Sequence, residues 1–237
     1  MEKSKLVLLP GLMCDRTVWA HQIAALDDLA ECTVVDWSDL DSLPAMADHV
    51  LQVAPSRFAV AGHSMGGRVA FEVYRQAPER VTHLALFDTN YVPLPPGEAG
   101  ENEARGRRDL LDLARAQGMR AMSKKWLEGM IPPYRQKDAA LVEDIVSMFE
   151  RKSPEHFEKQ MRALLNRPDA EPVLSTIRCP ALVLTGMDDA WSPPKRHQEM
   201  AAAIPASTLV LVENCGHMST MERPDEVSRA MREWLKR

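Results

Sequence analysis

Short continuous runs of apolar, often β-branched residues recur along the chain and set the first expectation about its fold. None of these runs alternates apolar with polar positions, as a strand with one solvent-exposed face would. Strands that are buried on both faces, in a parallel sheet covered by helices, show this continuous pattern. We therefore predict six buried strands, at residues 5–9, 32–37, 57–62, 83–88, 181–186 and 208–213.

Segments with the helical spacing of apolar residues lie between the predicted strands and after the last one. They occupy residues 19–30, 43–54, 66–77, 196–204 and 223–237. Pro224 stands near the start of the last segment, where its missing N–H does no harm to a helix. This alternation predicts an α/β fold, with a doubly wound, mainly parallel sheet of about six strands and helices on both faces.

The alternation is interrupted once, between the fourth and fifth predicted strands. A Pro/Gly-rich exit, "VPLPPGEAGEN", leads into helix-like stretches without a convincing strand. One of these stretches opens with Ser153, Pro154 and Glu155, a pattern typical of a helix start. We predict an all-helical insertion at residues 91–177 within an α/β core made of residues 1–90 and 178–237.

A serine between glycines marks the junction of the third predicted strand and the following helix, in "AVAGHSMGGRVA". The bare pattern G-x-S-x-G is common by chance, but a sharp strand-to-helix turn is a demanding setting for it. Gly62 and Gly66 relieve the collisions that bulkier residues would meet in such a turn, and Ser64 then projects at the carboxyl edge of the sheet. The turn is therefore predicted to present the Ser64 hydroxyl as a nucleophile.

A serine hydroxyl needs a base that removes its proton and an acid that orients the base. His217 lies in the loop "NCGHMSTMERPDEV" after the sixth predicted strand, and is the candidate base. The loop "GMDDAWSPP" after the fifth strand offers Asp188 and Asp189, and Asp88 ends the fourth strand. The chain order serine, aspartate, histidine is the order of one known hydrolase architecture.

With these motifs the chain resembles the α/β-hydrolase fold superfamily, in its helical-lid branch of carboxylesterases and carbon–carbon hydrolases. The resemblance covers essentially the full length, through "GHSMGG", "LVLTGMDDAWSPP", "CGHMSTMERP" and "LLPGLMCDRTVW". It implies that the helical insertion is a lid, and that the acid is Asp189, three residues after the glycine that ends its strand. Asp188 then stabilises the turn, and Asp88 is the less favoured acid that some relatives use.

The resemblance also implies an oxyanion hole of two backbone N–H groups. One would come from Met65, just after the nucleophile, and the other from Leu12 in the loop after the first strand. Relatives usually have His-Gly in that loop, whereas this chain has Pro10-Gly11. The histidine that anchors the loop in relatives is therefore absent.

The substrate pocket is expected between the core loops and the lid. Methionines and aromatic residues of the lid provide adaptable apolar surface, although most of them are expected to pack the lid helices together. Arg105, Arg107 and Arg108 are expected at a solvated helix start, with a contact to a substrate carboxylate as the alternative for one of them. The predicted pocket residues are Trp19, His63, Trp126, Met130, Trp191 and Met218.

Composition narrows the possible binding partners and the expected cellular location. The formal net charge of −5 disfavours a nucleic-acid surface, and the apolar N-terminal stretch before Pro10 is too short for a signal peptide or a membrane span. Four widely separated cysteines without metal-ligand spacing favour free thiols in a reducing, cytoplasmic setting. The expected partner is a small-molecule substrate; no metal, cofactor or membrane is predicted, and the oligomeric state is left open.

Together these features predict a cofactor-free serine hydrolase that cleaves a small to medium, largely apolar carboxylic ester or related carbonyl compound through an acyl-enzyme. Two enzymatic alternatives, carbon–carbon hydrolysis of ring-fission products and peracid formation, would use the same three residues. A ligand-binding protein on a hydrolase fold is the alternative of another class.

Overall fold

The computed structural model describes residues 3–37 and 39–237. Within them the chain forms one six-stranded sheet, entirely parallel, in the order β2-β1-β3-β4-β5-β6. The predicted α/β fold with a doubly wound parallel sheet is confirmed. The strands are β1 (Ser4–Leu9), β2 (Ala30–Val34), β3 (Phe58–His63), β4 (Val81–Phe87), β5 (Ala181–Gly186) and β6 (Ser207–Val212).

Helices cover both faces of the sheet, as the continuously apolar strands require. The central strands β3 and β5 are buried at every position, so neither face is open to water there. The helices of the core are α1 (Ala20–Ala25), α2 (Leu43–Val53), α3 (Met65–Gln76), α9 (Pro194–Ala203), α10 (Ser219–Glu222) and α11 (Pro224–Leu235). Right-handed crossovers place α2, α3 and α9 on one face and α1 on the other, where α1 packs against the C-terminal helix α11.

The second strand lies earlier than its apolar run suggested. The prediction was 32–37, but β2 spans Ala30–Val34, and the chain then leaves the sheet. Trp37 is buried beneath the loop that follows β1, and its indole N–H donates to the Pro10 carbonyl oxygen (3.0 Å). The end of this run is therefore buried under the loop that follows β1 and is not part of the strand.

The segment between β4 and β5 is helical. No residue of 91–177, all of them described, lies in a strand. Ser153 caps α7 by accepting a hydrogen bond from the His156 N–H (3.3 Å), and Asp138 caps α6 in the same way (3.2 Å to the Leu141 N–H). The helices here are α4 (Glu98–Gln117), α5 (Met119–Met130), α6 (Ala139–Glu150), α7 (Pro154–Leu165) and α8 (Glu171–Leu174).

Short 3₁₀ helices at Arg16–Trp19, Pro78–Arg80 and Arg135–Lys137 complete the regular structure of the described residues. None of the helices formed by these residues combines the length and apolar character needed to cross a bilayer.

Candidate active site

The turn between β3 and α3 presents Ser64 with little freedom to move. Ser64 has a φ of 53°, in the left-handed region that costs a non-glycine residue free energy. A Cβ on Gly62 would lie 2.3 Å from the Gly66 carbonyl oxygen, and one on Gly66 would lie 2.0 Å from the Leu9 carbonyl oxygen. Glycine at both positions thus allows helix, strand and the loop after β1 to meet at the serine.

The Ser64 hydroxyl does not cap the helix that it precedes. Instead the hydroxyl Oγ lies 2.8 Å from His217 Nε2, in the loop after β6. The other ring nitrogen, Nδ1, lies 2.8 Å from Asp189 Oδ2, in the loop after β5. The structure therefore brings Ser64, His217 and Asp189 together in one hydrogen-bonded chain at the carboxyl edge of the sheet.

Asp189 is held in place from its other side. Its Oδ1 accepts hydrogen bonds from the backbone N–H groups of Trp191 (2.9 Å) and Ser192 (2.8 Å). Burial by itself would raise the pKa of Asp189, but the attraction of His217 and these hydrogen bonds outweigh it and the pKa lies below its ordinary value. The carboxylate is therefore ionised and oriented toward the imidazole.

His217 is buried among carboxyl groups. Burial alone would lower its pKa, but Asp189 and the nearby Asp88 and Glu222 favour the imidazolium and raise the pKa above its ordinary value. A raised pKa makes this histidine a stronger base, since it binds a proton more readily than a free imidazole.

The other two aspartates have different surroundings. Asp88 is fully buried and accepts hydrogen bonds from the backbone N–H groups of Ser219 (3.1 Å) and Gly186 (3.3 Å), so that it ties the loops after β5 and β6 together. Asp188 is exposed and accepts a hydrogen bond from the Tyr134 hydroxyl (2.5 Å). Neither carboxylate has a hydrogen bond to the His217 ring within the described residues.

Glu222 is a buried site residue that the sequence analysis did not single out. Its Oε1 accepts hydrogen bonds from the backbone N–H groups of Gly216 (3.0 Å) and Met218 (3.1 Å), the two neighbours of His217. The carboxylate thus fixes the backbone of the histidine loop. A glutamate at the end of the motif "CGHMSTME" was the only signal in the sequence.

Two backbone N–H groups beside Ser64 are free to bind an oxygen atom. The N–H groups of Leu12 and Met65 have no hydrogen-bond partner within residues 3–37 and 39–237, and both residues line the cavity above the serine. The loop after β1, which lacks the histidine that anchors it in relatives, is held by other hydrogen bonds. The Met13 N–H donates to Oε1 of the buried Gln160 in α7 (2.8 Å), a tie from the helical insertion that the sequence analysis missed.

Comparisons with known proteins agree with this geometry. The family model described as "Alpha/beta hydrolase family" matches residues 6–230. The chain belongs to the alpha/beta hydrolase family. The predicted family membership and hydrolase function are confirmed.

Similar proteins match this hydrolase along nearly its whole length. The putative carbamate hydrolase RutD of Klebsiella pneumoniae is 27% identical over 97% of this chain and 90% of its own. A pimeloyl-[acyl-carrier protein] methyl ester esterase of Photobacterium profundum is 27% identical over 98% and 95%. Among solved structures, a thermophilic esterase from Thermogutta terrifontis has a TM-score of 0.85 at 28% identity, covering 98% of this chain and 89% of that chain.

In this alpha/beta hydrolase the loops of the sheet edge and the helical insertion enclose a cavity of about 580 Å³. Leu110, Phe149 and Leu164 of the insertion give part of its wall an apolar surface. Five of the six residues predicted for the substrate pocket line this cavity, namely His63, Trp126, Met130, Trp191 and Met218.

Trp19 is the exception and corrects the prediction. Its side chain is fully buried and is absent from the cavity wall. The indole packs edge-to-face on Phe87 (5.4 Å between ring centroids) and lies 6.5 Å from the His63 ring. Trp19 therefore belongs to the core under the site, since the 3₁₀ helix that carries it turns this side chain toward the sheet.

His63 lines the cavity, and its ring is also hydrogen-bonded to the backbone of the loop after β6. Its Nε2 donates to the His217 carbonyl oxygen (2.9 Å), and burial lowers the pKa of His63 to about 3, so the ring is neutral. Of the methionines in the insertion, Met130 lines the cavity, whereas the others are buried and do not line it.

Charged groups also reach the cavity of this hydrolase. Arg105 and Arg108 are exposed, but Arg107 lines the cavity together with Arg68 and Arg167, which the sequence analysis did not consider. No local pattern distinguishes these two arginines, because one lies on α3 and the other follows α7, 99 residues apart in sequence numbering, and only the fold brings them together.

Proposed function

We propose that the protein is a serine hydrolase of carboxylic esters or related carbonyl compounds, with Ser64 as nucleophile, His217 as general base and Asp189 as the orienting acid. The observation that supports it is the continuous hydrogen-bonded chain from the Ser64 hydroxyl through both ring nitrogens of His217 to Asp189. Each member comes from a different loop of one sheet edge, and the serine is held in a strained conformation that exposes its hydroxyl.

The reaction would proceed in two steps. Ser64 Oγ attacks the carbonyl carbon while its proton passes to His217 Nε2, and the imidazolium then protonates the leaving alcohol, so that an acyl-enzyme and the alcohol result. Water then loses a proton to His217 Nε2 and attacks the acyl carbon. The bond from the acyl carbon to Ser64 Oγ breaks, and the imidazolium returns the proton to Oγ, so that the acid is released and the serine is restored. Asp189 stays ionised throughout and stabilises the imidazolium that forms in each step.

The N–H groups of Leu12 and Met65 would stabilise the negative oxygen of the tetrahedral intermediates. They carry no other hydrogen bond among the described residues, and they line the cavity next to the serine. Preformed donors of this kind stabilise a developing charge without reorganising during the reaction.

We further propose that residues 91–177 act as a lid on a core formed by residues 1–90 and 178–237. The indoles of Trp126 in the insertion and Trp191 in the acid loop stack at 5.6 Å, and the Met130 carbonyl oxygen accepts the His217 N–H (2.9 Å). These contacts couple the insertion directly to the catalytic loops. The apolar residues that the insertion contributes to the cavity wall would hold part of the substrate away from water.

Activity on p-nitrophenyl esters of graded acyl length tests the proposed function. We expect release of p-nitrophenol by the wild type and a loss of several orders of magnitude in Ser64→Ala. Ser147→Ala, which alters a half-buried serine of α6, is the matched control and should keep wild-type turnover. Near-normal turnover in Ser64→Ala would refute the assignment.

A fluorophosphonate probe separates the remaining alternatives. Labelling of the wild type but not of Ser64→Ala, without ester turnover, would favour carbon–carbon hydrolysis or peracid formation by the same residues. Failure to label, combined with thermal stabilisation by ligands, would favour a non-catalytic ligand-binding protein.

A further inference from the structure

Three arginines line the cavity above Ser64, and a single carboxylate accompanies them. Arg68 lies on α3, Arg107 on α4, and Arg167 just after α7. Glu103 on α4 is the only aspartate or glutamate among the described residues that line the cavity. The wall therefore has an excess of positive charge, although the whole chain has a net charge of −5.

Both carboxylate oxygens of Glu103 accept hydrogen bonds from arginines of the cavity wall. Arg167 forms a bidentate pair with it (2.7 and 2.8 Å), and Arg107 donates from Nε and one terminal nitrogen to its Oε1 (3.1 and 3.0 Å). Arg167 also donates to the carbonyl oxygens of Leu164 (3.0 Å), Val92 (3.4 Å) and Pro93 (3.5 Å), so that each of its three nitrogens has a partner. Burial alone would raise the pKa of Glu103, but the two guanidinium groups outweigh it and lower the pKa to about 2.

Arg68 has no acidic partner within the described residues. Its guanidinium donates from one terminal nitrogen to the Val92 carbonyl oxygen (2.9 Å). Its Nε and its other terminal nitrogen have no hydrogen-bond partner within the described residues, and the residue lines the cavity. Desolvation, together with repulsion by Arg167 and Arg107, lowers the pKa of Arg68 to about 9, and only Glu103 acts in the opposite direction. A partly desolvated cation among other cations would gain an attractive partner if an anion entered the cavity.

We propose that the cavity binds a substrate carboxylate on the Arg68 guanidinium, assisted by the free terminal nitrogen of Arg107. This inference rests on the proposed hydrolase function and names its substrate class: a carbonyl compound with a second, ionised carboxyl group, such as the half ester of a dicarboxylic acid. The guanidinium fork matches the two oxygens of a carboxylate, which a lysine could not do.

The position of Arg68 relative to the nucleophile sets the length of the substrate. Arg68 follows Ser64 by four residues, about one helical turn or ~6 Å along α3, so the two residues lie on the same side of the helix. Leu110 and Leu164 are among the apolar residues that line the same cavity. A short chain of methylene groups between the scissile carbonyl and the carboxylate fits this arrangement.

A purely structural role for Arg68 would leave most of its donors unexplained. A hydrogen bond to the Val92 carbonyl oxygen needs only one N–H group, which an uncharged glutamine could supply. Placing a cation beside two other cations in a partly desolvated wall only for this bond would be unfavourable. The donors of Arg68 that lack a partner within the described residues, and the surrounding positive charge, both fit an anionic ligand.

The test compares two esters with acyl chains of equal length that differ only in the terminal group, an ionised carboxylate in one and a methyl group in the other. We would measure kcat/KM for p-nitrophenyl hydrogen adipate and for the neutral p-nitrophenyl hexanoate, and use their ratio as the readout. The wild type should prefer the anionic ester, and the ratio should fall roughly 10- to 100-fold in Arg68→Gln. Arg68→Lys should fall between the two, because it keeps the charge but loses the fork. Arg108→Gln, an exposed arginine of α4, is the control and should keep the wild-type ratio.

Binding to Ser64→Ala separates this inference from the proposed function. Adipate should bind Ser64→Ala in calorimetry, and its affinity should fall in the double variant Ser64→Ala/Arg68→Gln, whether or not the wild type hydrolyses esters. Adipate binding without any ester turnover would uphold the anion site and reject the hydrolase. Ester turnover with equal rates on both esters and no adipate binding, or binding of inorganic phosphate alone, would overturn the carboxylate site. Thermal unfolding shows whether each variant is folded.

Discussion

The bond between Gln160 and the loop after β1 offers a sharp test of how the helical insertion contributes to catalysis. The Met13 N–H donates to Gln160 Oε1 (2.8 Å), and both side chains are almost fully buried. Met13 has a φ of 62°, so the loop is held in an unfavourable backbone conformation next to Leu12, the proposed oxyanion donor. The hydrogen bond to Gln160 stabilises this backbone conformation, so its loss should allow the loop to move.

Replacing Gln160 by methionine keeps the length of the side chain but removes the acceptor. The buried Met13 N–H then lacks a partner, which costs about 1–3 kcal/mol of unfolding free energy. For a chain of this size that corresponds to a decrease of roughly 2–12 °C in melting temperature. Displacement of the Leu12 N–H should lower kcat about 10- to 100-fold, part of the effect of losing one oxyanion donor.

Steady-state kinetics on a p-nitrophenyl ester and a thermal melt measure both effects. KM should change less than kcat, because the oxyanion contact forms mainly in the transition state. Gln160→Glu is the matched control: a carboxyl oxygen, ionised or protonated, can still accept the Met13 N–H, so kcat should stay within a few-fold of wild type. Wild-type kcat in Gln160→Met, or equal losses in both variants, would refute the reasoning.

Two further predictions concern the acid and the base. Because the pKa of His217 is raised and the neutral ring is the active base, kcat/KM should rise with pH through a midpoint above about 6.5. A midpoint below that value in a profile from pH 5 to 9 would contradict this assignment. Asp189→Asn removes the charge that raises this pKa, so the midpoint should move to lower pH and kcat should fall by roughly 10³- to 10⁴-fold. Asp188→Asn, whose carboxylate bonds Tyr134 at the surface, should change kcat less than about threefold; equal losses in the two variants would argue against Asp189 as the acid.

Local patterns in the sequence were enough to predict the sheet and the position of the serine. Continuously apolar runs indicate strands that are buried on both faces. Gly62 and Gly66 indicate a close approach of backbone segments. Both patterns can be recognised from residues that are close together in the sequence. The apolar pattern was misleading where residues are buried for another reason. Trp37 is buried under the loop after β1 and is not in a strand. Trp19 is buried beneath the site, although its position after the same loop suggested that it would line the pocket.

The sequence by itself thus determined the α/β architecture and indicated candidate residues at the strand ends. The spacing of apolar residues and the positions of glycines determine local structure within a few residues, so both can be read from short segments. Only the tertiary structure decided what those residues meet. Gln160 reaches Met13 across 147 positions, and Arg68 meets the arginines of the insertion in one cavity. Such contacts depend on how the insertion folds back over the sheet edge, and no local pattern encodes that geometry.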